Sequence, residues 1–207
     1  WLEFRRVLFR SLMVVLFSAE KMFDNNLKLA ALVNSNLDVL KEYKALENKF
    51  TYKLPEDFET KEIDFESKEI VYHNAFNSKD QKIYGFVQVW NYKEDLKSFL
   101  DKSKEVSLKE NTVKDYSIQE ININENKAYA ICYTMKNAKG SVYTANEFFI
   151  DNKDSYVRFS FFTLQKNYKE NMLSIFKGLA SSFKYEKWFA LIKLKYYNYN
   201  KKNREAI

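Results

Sequence analysis

Apolar and polar positions change their period several times along the chain. From Asp24 to Glu47, Leu27, Ala30, Ala31, Leu37, Leu40 and Leu46 fall mostly three or four apart, which predicts a helical stalk or cover interrupted around Asn34, Ser35 and Asn36. Phe50, Tyr52 and Leu54 then alternate until Pro55 stops the ladder, so a strand followed by a turn is expected. KEIVYHNAF and KIYGFVQVWN, rich in β-branched and aromatic residues and separated by NSKDQ, read as a hairpin. Asn91 with Glu94 three residues on has the form of a capping box, and Leu96, Phe99 and Leu100 give a short helix from Lys93 to Lys102 one apolar face. Four strand-like runs follow, VKDYSIQEININ, KAYAICYTMKN, SVYTANEFFID and SYVRFSFFTL, joined by the turns EN, NAKG and NK. They predict an antiparallel meander in which Gly140 supplies a positive φ. In the last segment, NYKENMLSIFKGLASSF, Tyr168, Met172, Ile175, Phe176, Leu179 and Phe183 share one stripe, as in a helix docked on a sheet.

This order of elements carries a resemblance. FTYKLPEDF is an alternating aromatic run closed by Pro55, with Phe58 where tryptophan is frequent; KIYGFVQVWN, NEFFI, YVRFSFF and IFKGLASSF follow it. Together these stretches resemble the PsbP-like family, and within it the PsbP-related bacterial lipoproteins and membrane-anchored proteins of unknown function. The resemblance implies an α+β fold, an α/β/α sandwich whose twisted antiparallel sheet carries covering helices. It also implies a binding or scaffolding role outside the cytoplasm rather than an enzymatic one. The domain is expected over residues 49–184, preceded by a helical or anchor-proximal segment at 12–48 and followed by a basic aromatic tail at 185–207.

Composition sharpens the two ends. Three of the five arginines, Arg5, Arg6 and Arg10, stand in the first eleven residues, where WLEFRRVLFRS resembles translated adapter DNA, so residues 1–11 are set aside as non-native. The native start is then expected upstream, and the apolar run Leu12–Phe17 reads either as the end of a severed anchor or signal segment or as a buried helical turn. An extracytoplasmic, membrane-anchored location follows from the first reading and a cytoplasmic one from the second. Over 207 residues, 46% hydrophobic and 17% aromatic content fits one folded domain. The net charge of +6 falls to about +4 without the opening stretch, too little for a dense nucleic-acid stripe. The single cysteine, Cys132, excludes a disulfide framework or a CxxC module and reads as a small buried hydrophobe.

Candidate chemistry sits on the meander. A two-residue NK turn sets Glu147 directly across from Arg158, a three-residue NAKG hairpin sets Ile131 across from Glu147, and the EN turn puts Glu120 beside Ile131. One sheet face then carries Glu120, Tyr129, Tyr133, Tyr143, Glu147, Tyr156 and Arg158; the other carries Ile121, Ile123, Ala128, Ala130, Cys132, Phe148, Ile150, Val157, Phe159 and Phe161 and forms the core. Glu147 and Arg158 read as a cross-strand ion pair, or, with tyrosines ringing the only arginine of the domain, as a holder of a carboxylate or phosphate. The partner expected on that face is a protein or a small anionic ligand.

No catalytic or metal site is assigned. His73 has no nearby Cys or His to complete a metal set and reads as a satisfied strand histidine. A G-x-S-x-G elbow and a Gly-rich phosphate loop are both missing, since Gly85, Gly140 and Gly178 are isolated. No cofactor is expected. Two alternatives stay open: a hydrolase-like enzyme using sheet-face carboxylates, and nucleic-acid binding through the tail WFALIKLKYYNYNKKNREAI. The same tail fits an anionic membrane surface, and it also fits read-through of AT-rich DNA.

Overall fold

The computed structural model describes residues 39–91, 94–109, 113–152 and 155–185. The chain runs through β1 (Leu40–Ala45), β2 (Phe50–Pro55), β3 (Glu59–Glu62), β4 (Ile70–Asn77), β5 (Ile83–Trp90), α1 (Leu96–Lys109), β6 (Val113–Ile123), β7 (Asn126–Lys136), β8 (Val142–Asp151) and β9 (Tyr156–Leu164). A short 3-10 turn (Gln165–Asn167) leads to α2 (Met172–Ser181) and a two-residue β10 (Lys184–Tyr185). Strands dominate this α+β domain. Seven of them form one sheet in the order β3-β4-β5-β9-β8-β7-β6, every neighbouring pair antiparallel, and β1-β2-β10 form a second, small antiparallel sheet.

The large sheet separates two cores because its side chains alternate with period two. On one face Val87, Ala128, Phe148, Ile150, Val157, Phe159 and Phe161 meet Ile175, Phe176, Leu179 and Ala180 of α2 together with Phe50, Tyr52 and Leu54 of β2. Phe161 stacks on Phe176 at 4.4 Å and 5°, and Tyr52 meets Phe159 edge-on at 5.8 Å. The covering layer on this side is therefore part helix and part sheet. On the other face Leu96 and Leu100 of α1 close over Tyr129, Ile131, Phe149 and Tyr156.

Several sequence expectations change here. The helical reading of Asp24–Glu47 fails for its described part: Leu40–Ala45 is a strand, with Tyr43 across from Tyr52 and stacked on it at 5.4 Å. A six-residue stretch such as LKEYKA satisfies either period, and pairing with β2 decides it. The rest of residues 12–48 up to 38, the adapter-like stretch and the tail beyond Tyr185 lie outside the described residues. The capping box of Asn91 and Glu94 is replaced by a cap one turn boundary later, where Asp95 Oδ2 accepts the backbone N–H and the hydroxyl of Ser98. The helix accordingly runs from Leu96 to Lys109 rather than from Lys93 to Lys102.

The turns also shift two registers by two residues. Asn124 and Glu125 take φ of 49° and 67°, the backbone of a two-residue hairpin whose twist suits the sheet, so Glu120 lies across from Tyr129 instead of Ile131. Asn152 pairs with Ser155 through its backbone and its amide, which puts Glu147 across from Ser160 and Arg158 across from Phe149. The NAKG hairpin holds the expected match of Ile131 with Glu147, and Gly140 has φ 83°.

Two glycines test the packing. A Cβ on Gly85 would stand 1.9 Å from the carbonyl oxygen of Ser160 and 2.7 Å from the Phe76 ring, whereas nothing lies within 4 Å of one on Gly178. Gly85→Ala is expected to lower stability by about 2–3 kcal/mol, and Gly178→Ala, inside α2, to raise it by about 0.5–1 kcal/mol. Urea melts of the two variants read both signs, and a neutral Gly85→Ala would show that β5 and β9 are not held this closely.

Candidate functional site

The strand order brings the expected site residues onto one face but does not leave that face open. Tyr129 and Tyr156 are 2% and 5% exposed beneath α1. Trp90 and Phe99 close the same end, with rings 5.7 Å apart. Tyr133 lies farther along the sheet, stacked on Tyr116 at 5.7 Å and 9°, and Tyr143 meets Tyr84 edge-on at 5.5 Å. Glu120 stands apart at the outer strand, exposed, accepting from the Tyr129 hydroxyl at 3.2 Å and pairing with Lys127 at 3.3 Å. The expected open tyrosine surface is thus a half-roofed one, because Leu96, Phe99 and Leu100 need an apolar floor and this face supplies it.

Glu147 and Arg158 form the polar centre of the face. Glu147 is 3% exposed, and its Oε2 accepts Arg158 Nε at 2.6 Å, Arg158 Nη2 at 2.6 Å and the Ser160 hydroxyl at 3.0 Å. Its Oε1 accepts the Tyr133 hydroxyl at 2.6 Å. The guanidinium lies between the rings of Phe86 and Phe149, 4.9 and 5.1 Å from their centroids, so phenylalanines rather than tyrosines surround the arginine. Burial and then the Glu147 charge push the Tyr133 phenol well above its ordinary range, and burial first, then the same charge, lifts Tyr116 to about 12. Both phenols are neutral at physiological pH, and Tyr133 donates to Glu147. A carboxylate with four donors already in place has no room for substrate, and Glu120 is not beside it.

The opposite face holds the thiol. Cys132 donates to Asn146 Oδ1 at 3.2 Å, and burial pushes its pKa up, which keeps it protonated and unreactive. Among the described residues no group of three or more His, Cys, Asp or Glu gathers where it could hold a metal ion.

His73 occupies the edge of the tyrosine-bearing face and shows a side-chain relay that sequence reasoning missed. Trp90 Nε1, which can only donate, reaches Gln88 Oε1 at 3.0 Å, so the Gln88 amide nitrogen faces His73 Nδ1 at 2.9 Å. That nitrogen must then accept, and the neutral ring carries its proton on Nε2. Phe65 packs edge-on against the ring at 4.7 Å and Phe86 lies at 5.1 Å. Burial first, and the nearby Arg158 charge second, lower the His73 pKa below its ordinary 6.5. Protonation would also set two N–H groups of His73 and Gln88 against each other.

Because the folded value is depressed, His73 contributes stability that is complete above the unfolded value and is lost as pH falls from there through the folded value. His73 is the only histidine of the chain. Urea stability is therefore expected to fall between pH 7 and the onset of carboxylate titration in the wild type and to stay flat over that window in His73→Leu; equal slopes would refute the relay.

A cleft of about 360 Å³ adjoins this histidine, lined by Glu62, Ile63, Asp64, Phe65, Ile70, Val71, Tyr72 and His73. It lies beside a bulge in β4, where the β4–β5 register shifts between Ile70 and Tyr72. The loop is built by its own side chains: Asp64 Oδ1 accepts Glu66 N at 2.9 Å, and the Ser67 hydroxyl accepts Glu69 N and Ile70 N. Asn91 N donates to Glu69 O at 2.7 Å and ties the far end down. Behind the cleft Asn74 Nδ2 donates to the Tyr52 hydroxyl at 2.7 Å, and Tyr52 and Tyr72 share a 2.8 Å bond. Burial pushes Tyr52 up to about 12 and Tyr72 far above the ordinary phenol range. Nothing in IDFESKE alone marks this loop as a wall, since Phe65 and the Ile63 amide reach His73 only once β3 has paired with β4.

No protein-family model matches the chain, and no curated protein matches it. Among solved structures, the solution structure of cyanobacterial PsbP (CyanoP) from Synechocystis is similar at 12% identity with a TM-score of 0.53, over 70% of this chain and 92% of that one. A crystal structure from Bacteroides thetaiotaomicron aligns at 15% identity and a TM-score of 0.45, over 72% of this chain and 49% of that one. A Pseudomonas aeruginosa protein of unknown function aligns at 10% identity and a TM-score of 0.34, over 62% and 85% of the two chains. The likeness to CyanoP shows that the domain has the PsbP-like fold.

Proposed function

We propose that this PsbP-like domain is a non-catalytic binding or scaffolding module of an extracytoplasmic, membrane-tethered protein. The observation that carries the reading is the division of labour on the sheet. The charged centre, Glu147 with Arg158, Ser160 and Tyr133, is consumed internally, while the apolar side chains Ile63, Phe65 and Val71, 38%, 47% and 39% exposed, line the cleft beside His73. A site that must react needs a free base or nucleophile, and a site that recognises needs accessible apolar surface beside a few fixed polar groups. The tether rests on the apolar run Leu12–Phe17 and on the resemblance to anchored PsbP-like proteins; among the described residues no helix is long and apolar enough to cross a membrane. The basic tail supplies a contact for anionic lipid headgroups in the same scheme.

The test is a photo-crosslinking amino acid placed at Phe65 in the producing cell, with Val142, 36% exposed elsewhere on the sheet, as the control. One discrete adduct from position 65 and none from 142 is expected. Equal labelling at both positions, or none at either, would count against a recognition module.

A further inference from the structure

The cleft beside His73 has the wrong charge for the anionic ligand that the arginine suggested. Its two charged lining residues are Glu62 and Asp64, and no lysine or arginine lines it. Among the described residues neither carboxylate forms an ion pair. The remaining wall is aliphatic and aromatic: Ile63, Phe65, Ile70, Val71 and the Tyr72 ring. The rim is pre-formed on its loop side, since Asp64 Oδ1 accepts the Glu66 amide and the Ser67 hydroxyl accepts the amides of Glu69 and Ile70. An occupant that fits must bring a positive charge on an apolar stem, and the carboxylates it meets are solvent-exposed rather than set in a dry, planar pair. That favours a compact ammonium, which tolerates partial hydration, over a guanidinium that needs bidentate geometry. We propose that the cleft receives the lysine side chain of a protein partner, its methylene stem along Ile63, Phe65, Ile70 and Val71 and its ammonium between Glu62 and Asp64.

The proposal rests on the reading of the domain as a binding module and names the chemistry that the module recognises. His73 lines the cleft as the only histidine of the chain, so its ring proton resonances report occupancy without interference. Nα-acetyl-lysine N-methylamide is the probe, and the norleucine derivative, equal in stem but uncharged, is the control. Saturable shifts of the His73 signals by the lysine probe at millimolar concentration are expected, with none from the norleucine derivative. Glu62→Gln combined with Asp64→Asn, both exposed and thus harmless to folding, is expected to weaken binding about tenfold. Phe65→Ala should weaken it as well, through the lost stem contact. Equal shifts from both probes, saturation that survives the double variant, or no shift at all would overturn the proposal. A discrete adduct from position 65 together with silent His73 signals would keep the binding module and remove lysine as its ligand, whereas lysine binding with no adduct would remove the protein partner.

Discussion

Glu147→Ala is expected to cost about 3–5 kcal/mol, the largest loss from any single charged residue of the domain. The substitution leaves the Arg158 guanidinium, 22% exposed and wedged between Phe86 and Phe149, without a counter-charge, and it strips Tyr133 and Ser160 of their acceptor. The cost comes from stranding these groups rather than from the attraction alone, because taking the pair out of water already spends most of the Coulomb gain. Arg158→Ala should be destabilising for the mirror-image reason, since it leaves a carboxylate 3% exposed. The discriminating measurement is the double variant Glu147→Leu with Arg158→Met, which removes both charges and refills the space. Its urea midpoint is expected to recover most of the loss at an unchanged m value. If the double variant is as unstable as the sum of the single ones, the pair is not acting as one unit.

Phe161→Ala is the apolar counterpart, with an expected loss of about 3–5 kcal/mol. Phe161 is fully buried at the middle of β9 and touches three rings: Phe176 stacked at 4.4 Å, Phe76 at 5.4 Å and Phe148 edge-on at 6.4 Å. Its removal takes away the surface on which α2 rests, so near-ultraviolet dichroism should weaken along with thermal stability. Pairing it with Phe176→Ala should reveal a coupling of about 0.5–1.5 kcal/mol for the stacked rings. Phe65→Ala, at 47% exposure, should change stability by no more than about 0.5 kcal/mol, which separates the core ring from the cleft ring. A loss at Phe161 no larger than at Phe65 would mean that α2 is not docked where Phe176 places it.

The face assignments were legible because they survive error. Both misjudged turns, at Asn124–Glu125 and at Asn152, moved a register by two residues, and a two-residue slip returns every side chain to the face it had. Glu147 and Arg158 are therefore diagonal neighbours rather than direct ones, yet they still meet. The same tolerance does not protect statements about exposure. Whether Tyr129 and Tyr156 face water depends on where α1 lies, and α1 reaches them only after the chain has crossed the sheet. Nor does local pattern reveal β3, where Glu59, Thr60, Lys61 and Glu62 are all exposed and earn strand geometry solely by pairing with β4. His73 was readable as a satisfied residue, but the relay through Gln88 to Trp90 needs two residues of the adjacent strand.

Taken alone, the order of residues determined two things: an antiparallel sheet with one oily side for α2, and the lack of any local motif for catalysis or metal binding. Both follow from spacing within single elements, where period and residue type act over a few positions. Tertiary structure decided that the tyrosine side is half roofed, that Arg158 is neutralised from within, and that an acidic, apolar-walled cleft lies beside the bulge at Val71. Those outcomes depend on groups far apart in the chain arriving within a few ångströms of one another, and no short-range pattern encodes that distance.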